Sequence, residues 1–153
     1  MDQSSPFNPS INGEVSALSK YKSADGNYLI LGGKFTTIEG SPRGNIGSIE
    51  IQTLTVSSWN PNADGFVYNL SVVGNIVIAA GSFSHIGTES RRYLAGIDAL
   101  TGAPNGWNPD PDELVYAIDA ADSTIYIGGN FKKIGPLQRP YFSALSDLIT
   151  SID

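Results

Sequence analysis

The sequence predicts an all-β protein: three copies of one repeat, each of four antiparallel strands arranged as a blade of a β-propeller. Three observations predict it. Phe35, Phe83 and Phe131 recur at a spacing of 48 residues, each just after a small-residue pair (Gly32-Gly33, Ala80-Gly81, Gly128-Gly129). Short apolar runs bounded by Gly, Pro, Asn and Asp recur with the same period, as strands joined by turns do. No stretch of ten or more residues keeps helical periodicity without Gly or Pro.

Each repeat opens on an aromatic followed by Asn-Pro: Phe7-Asn8-Pro9, Trp59-Asn60-Pro61 and Trp107-Asn108-Pro109. This divides the single domain, 1–153, into repeats at 7–58, 59–106 and 107–153. The first strand is expected at Val15–Leu18, Val67–Leu70 and Val115–Ile118, and the second at Tyr28–Leu31, Ile76–Ala79 and Ile125–Ile127. The second strands are continuously apolar, which implies burial on both faces. The third strand surrounds Ile46–Ile51, Leu94–Leu100 and Phe142–Leu145. Leu54–Trp59 supplies a fourth, with poorer counterparts later. The first repeat is four residues longer, in the Lys22–Asn27 turn, where Asp25-Gly26 marks a tight hairpin. A β-trefoil is the rival threefold arrangement, and the doubly buried strands favour the propeller.

The string Gly-Gly-Lys-Phe-Thr-Thr-Ile-Glu-Gly at 32–40, followed by Arg43 and the pair Ile46/Ile49, resembles the delta-60-type propeller repeats of large bacterial secreted and cell-surface proteins. Similar Gly-Gly-x-Phe repeats occur in fungal cell-polarity surface proteins. The resemblance covers nearly the whole chain, with departures at Ala80 and at Pro136-Leu137. It implies a propeller and an extracellular or cell-surface setting, and no particular activity.

Composition removes several classes. The net charge is −6 and no Lys/Arg stripe appears, which argues against nucleic acid. No apolar run is long enough for a membrane helix, and Met1–Ser10 carries no signal core. Without cysteine there is neither a disulfide nor a thiol nucleophile. No serine nucleophile elbow, zinc spacing or phosphate-cradling glycine loop is present, and the lone His85 is replaced by Thr37 and Lys133 in the other repeats.

Candidate ligand-binding residues recur once per repeat. Arg43, Arg91 and Arg139 offer planar forks, either to an anionic ligand or to backbone carbonyls of their own loops; one per repeat favours the second. Trp59 and Trp107 suit sugar stacking or the sealing of gaps between blades, and the recurrence of the position as Phe7 favours the second. Asn60, Asn62 and Asp64, and again Asn108, Asp110 and Asp112, imitate the first half of a calcium loop. The bidentate glutamate such a loop needs is missing, so no cofactor is expected. Asp110, Asp112 and Glu113 are the nearest approach to paired catalytic carboxylates. The expected function is a non-enzymatic binding or adhesion module recognising a glycan or a protein. The alternatives are an architectural propeller segment and, last, a hydrolase. Propellers use about 4–8 blades and this chain supplies three. The expectation is therefore a homodimer closing a six-bladed ring, or a fragment of a larger protein.

Overall fold

The computed structural model describes residues 8–146, which form strands and turns without a helix. The first repeat contains β1 (Glu14–Ser23), β2 (Gly26–Lys34), β3 (Thr37–Ile38), β4 (Ser41–Pro42), β5 (Ile46–Glu50) and β6 (Thr55–Val56). The second contains β7 (Val67–Val73), β8 (Ile76–Gly81), β9 (His85–Ile86), β10 (Glu89–Ser90) and β11 (Leu94–Asp98). The third contains β12 (Val115–Ala121), β13 (Thr124–Gly129), β14 (Lys133–Ile134), β15 (Leu137–Gln138) and β16 (Phe142–Leu145).

Three antiparallel sheets result, in the orders β1-β2-β5-β6, β7-β8-β11 and β12-β13-β16. Their registers repeat: Leu18 opposes Leu31, Leu70 opposes Ala79, and Ile118 opposes Ile127. The first strand of each also breaks register at the same place, between Val15 and Ala17, Val67 and Asn69, and Val115 and Ala117. This bulge explains the second glycine of the Gly-Gly pair. A Cβ on Gly33 would lie 2.0 Å from the Glu14 carbonyl oxygen, on Gly81 1.9 Å from that of Phe66, and on Gly129 2.2 Å from that of Leu114.

The fourth strand is fainter than expected. It is the two-residue β6 in the first sheet and shrinks to a single bridge, Ile97 to Pro104, in the second. Pro104 has no N–H to extend a ladder. Its third counterpart, like Phe7, lies outside the described residues. The segment between second and third strands is not a plain loop. It folds into a two-stranded ribbon in every repeat: β3-β4, β9-β10 and β14-β15.

The sheets pack in series. One apolar seam joins the first two, with Ile30, Ile46 and Trp59 against Val67, Leu70, Phe83 and Ile97. A second joins the next two, with Ile78, Ala80, Leu94 and Trp107 against Val115, Ile125, Ile127 and Phe131. Side chains this deeply buried each contribute about 1.5–3 kcal/mol through removal from water. Burial of the second strand on both faces holds throughout β8 but not in β13. There Tyr126 is 38% exposed where Ile30 and Ile78 are buried, because no described residue covers that face of the third sheet.

Candidate functional site

The residues singled out by their periodicity hold the repeats together. Arg43 donates through Nη1 to the carbonyl of Pro42 at 2.6 Å and through Nη2 to that of Ser57 at 2.7 Å. Arg91 does the same to Ser90 at 2.7 Å and Asn105 at 2.9 Å. Each half-buried fork thus ties its ribbon to the segment just before the next tryptophan. Arg139 donates to the Gln138 carbonyl at 3.4 Å and is exposed.

Trp59 and Trp107 are 6% and 2% exposed, one in each seam, so neither offers a ring face to a ligand. Trp59 also donates its Nε1–H to the carbonyl of Asp98 in the second sheet, at 2.9 Å.

The Asn/Asp turns anchor the ribbons. Asn12 Oδ1 accepts the N–H groups of Thr36 and Thr37 at 2.8 and 2.9 Å. Asp64 Oδ1 accepts those of Ser84 and His85 at 2.7 and 2.9 Å, and Asp112 Oδ1 those of Lys132 and Lys133 at 2.8 and 3.1 Å. Partial burial alone would raise the Asp64 carboxyl. The His85 and Ser84 N–H groups, with the Ser84 hydroxyl and the His85 ring, overcome it and bring the pKa to about 2. The N–H groups of Lys132 and Lys133 lower Asp112 likewise. Asp110 forms a two-bonded pair with Arg92, Nε to Oδ1 at 2.9 Å and Nη2 to Oδ2 at 3.2 Å. Asn62 and Asp110 share a left-handed backbone, φ 62° and 58°. Asn60 and Asn108 are exposed beside them. Among the described residues no three His, Asp or Glu side chains converge.

One group of aromatics without such a role clusters at and beside the bulges of the second and third repeats. The bulged residue is Ser16 in the first repeat, Tyr68 in the second and Tyr116 in the third. The first strands of neighbouring sheets pack side by side, so the two tyrosine rings meet, their centroids 5.4 Å apart and tilted by 33°. Tyr116 is 45% exposed, and its hydroxyl lies 3.5 Å from the Asn130 side-chain nitrogen. Phe66, two residues before Tyr68, is 41% exposed, and the Lys34 ammonium stands 4.9 Å over its ring. Bulges re-aim side chains, and here they bring half-buried Tyr68 and exposed Tyr116 together beside Phe66, among an amine, an amide and phenols. Periodicity missed this group because Ser16 breaks the pattern. The signal available was an aromatic one residue after the Val that opens the strand, in two repeats of three.

A concavity of about 200 Å³ lies between the first two sheets. The longer hairpin of the first repeat brings Asp25 to it, beside Tyr21, Tyr28, Ser48 and Ser57.

No family model, curated protein or solved structure matches the chain.

Proposed function

We propose that the chain forms three β-propeller blades and serves as a non-enzymatic binding module of a secreted or cell-surface protein, recognising a glycan or a protein partner. The observation that carries this is the aromatic group of exposed Tyr116 and Phe66 with half-buried Tyr68 between them. Large rings with polar edges, held on rigid strands, give contact area at little entropic cost, and they serve sugar faces and protein anchors alike. The serial packing of sheets with their first strands adjacent supports the propeller. A second copy completes it as a six-bladed ring.

The test is a glycan array and a co-purification screen run with the chain and with Tyr68→Ala/Tyr116→Ala. The proposal expects a ligand retained by the chain and lost by the variant at unchanged melting temperature. Retention by both would place the binding surface elsewhere.

One observation favours a second, architectural reading. The recurring phenylalanines, arginines and ribbon-capping Asn12, Asp64 and Asp112 all bond or pack within the chain. On that reading the screens return nothing and the double variant behaves as the parent in every assay. Hydrolysis has the least support. Asp110 is held by Arg92 and Asp112 by two backbone N–H groups, which leaves Glu113 without a free carboxylate beside it.

A further inference from the structure

The two seams inside the chain are built to one plan. In the first, the following repeat lays Val67 and Leu70 over Gly32: a Cβ there would stand 2.6 Å from Val67 Cγ1 and 3.2 Å from Leu70 Cδ1. In the second, Val115 and Ile118 pack in the cluster that holds Ala80. The third sheet repeats the receiving face, and no described residue of another repeat lies on it. Among the described residues, a Cβ on Gly128 would find only Tyr141 O at 3.7 Å and Ala117 Cβ at 3.9 Å, both from its own repeat. Tyr126 and Phe142 stack beside it with centroids 6.3 Å apart. Phe142 is 61% exposed where its counterparts Ile46 and Leu94 are fully buried.

The strand that would cover such a face is present at the other end of the molecule. Val15 and Leu18 stand where Val67 and Leu70 stand in the second repeat, with the same bulge and register. Leu70 is 7% exposed and Leu18 is 59% exposed. The charges agree with this pairing. Three residues past the bulged residue, the covered receiving faces carry Ser19 and Ser71, and one residue further the covering strands carry Val72 and Ala120. The two open faces carry Asp119 on the receiving side and Lys20 on the covering side, both exposed. Opposite charges thus stand at the positions where the internal seams are uncharged.

We propose that the open face of the third sheet receives β1 of a second copy, with Val15 and Leu18 over Gly128 and Lys20 facing Asp119. This rests on the ring of two copies proposed above and specifies its contact. A twofold ring contains this contact twice, which makes a complementation test possible.

The experiment is sedimentation velocity at micromolar concentration on the chain, on Leu18→Glu, on Phe142→Glu and on an equimolar mixture of the two variants. Both substitutions are at exposed positions, and far-UV circular dichroism confirms the fold of each. The chain is expected to be a two-chain species and each variant alone a monomer, because each spoils both contacts. The mixture regains a two-chain species, because one of its contacts joins two unaltered faces. Lys20→Glu is expected to weaken association about three- to fivefold, and adding Asp119→Lys to restore it. A pair that persists in both single variants overturns this contact while leaving the ring intact. Monomeric variants that fail to complement overturn the head-to-tail arrangement. A monomeric parent chain overturns the ring and the contact together.

Discussion

Arg91 donates its Nη2 hydrogen to the carbonyl oxygen of Asn105, fourteen residues on, at 2.9 Å, and Arg43 makes the same bond to Ser57. In the first two repeats the guanidinium joins the ribbon to the chain returning to the next tryptophan. The planar fork reaches two carbonyls at once, which a lysine ammonium does less well. Arg91→Ala is expected to lower stability by about 1–3 kcal/mol through the orphaned carbonyls. Arg91→Lys recovers only part of this. Urea denaturation measures both, and an Arg91→Ala variant of unchanged stability with lost ligand binding would reassign the arginines to the binding surface.

The paired glycines separate two kinds of constraint. A Cβ on Gly81 collides with the Phe66 carbonyl at 1.9 Å, so Gly81→Ala must displace the bulge and is expected to cost at least about 2 kcal/mol. Gly128→Ala meets nothing closer than 3.7 Å and is expected to change stability by less than about 0.5 kcal/mol in the monomer. Equal losses at the two sites, read from thermal melts, would contradict the assignment of the second glycine to the bulge.

The two tryptophans occupy matching seams but differ at nitrogen. Trp59 donates to Asp98, while Trp107 Nε1 is buried with no partner among the described residues. Phenylalanine removes the same ring volume at either site, so the difference between Trp59→Phe and Trp107→Phe isolates the hydrogen bond. Trp59→Phe is expected to be the more destabilising, by about 1 kcal/mol. The reverse order in denaturant unfolding would refute the role given to that bond.

Acid sensitivity follows from the ribbon anchors. The Asp64 carboxyl titrates at about 2 in the folded chain, against about 3.9 in an unfolded one. A depressed folded value means that the stabilisation is fully present above the unfolded pKa and is lost as pH falls through the folded one. Asp112 acts in the same direction. Stability is therefore expected to decline as pH drops from about 4 toward 2. Asn12 performs the same capping with an uncharged oxygen, so Asp64→Asn/Asp112→Asn should keep the ribbons and flatten that decline. Urea midpoints across this range check it; an equally steep decline in the double variant would put the acid sensitivity elsewhere.

The strands and the period were legible in the sequence because packing enforces them. Phe35, Phe83 and Phe131 occupy one buried position, and the apolar second strands fill the seams. The ribbons were not legible, because Thr37-Ile38 and Ser41-Pro42 are too short to show alternation. The exposure of β13 escaped for a different reason. Ile125 and Ile127 read as apolar whether or not another sheet lies beyond Tyr126, so local pattern carries no information on what covers a face. In the candidate site, the conspicuous recurring residues and the tyrosines differ in how far the sequence displays them. Arginine, tryptophan and aspartate recur because the repeat needs them, whereas Tyr68 and Tyr116 depend on a bulge that only the register reveals.

The most direct test of the account measures how the three repeats are placed. The chain has no cysteine, so paired spin labels can be introduced cleanly at Thr36, Ser84 and Lys132, equivalent exposed positions after each repeated phenylalanine. Double electron–electron resonance on the three pairs gives three distances. Serial blades predict equal distances for 36–84 and 84–132, and a longer one for 36–132. Three equal distances would instead mean closed threefold packing, as in a β-trefoil, and would contradict the serial arrangement on which the propeller and its open face depend.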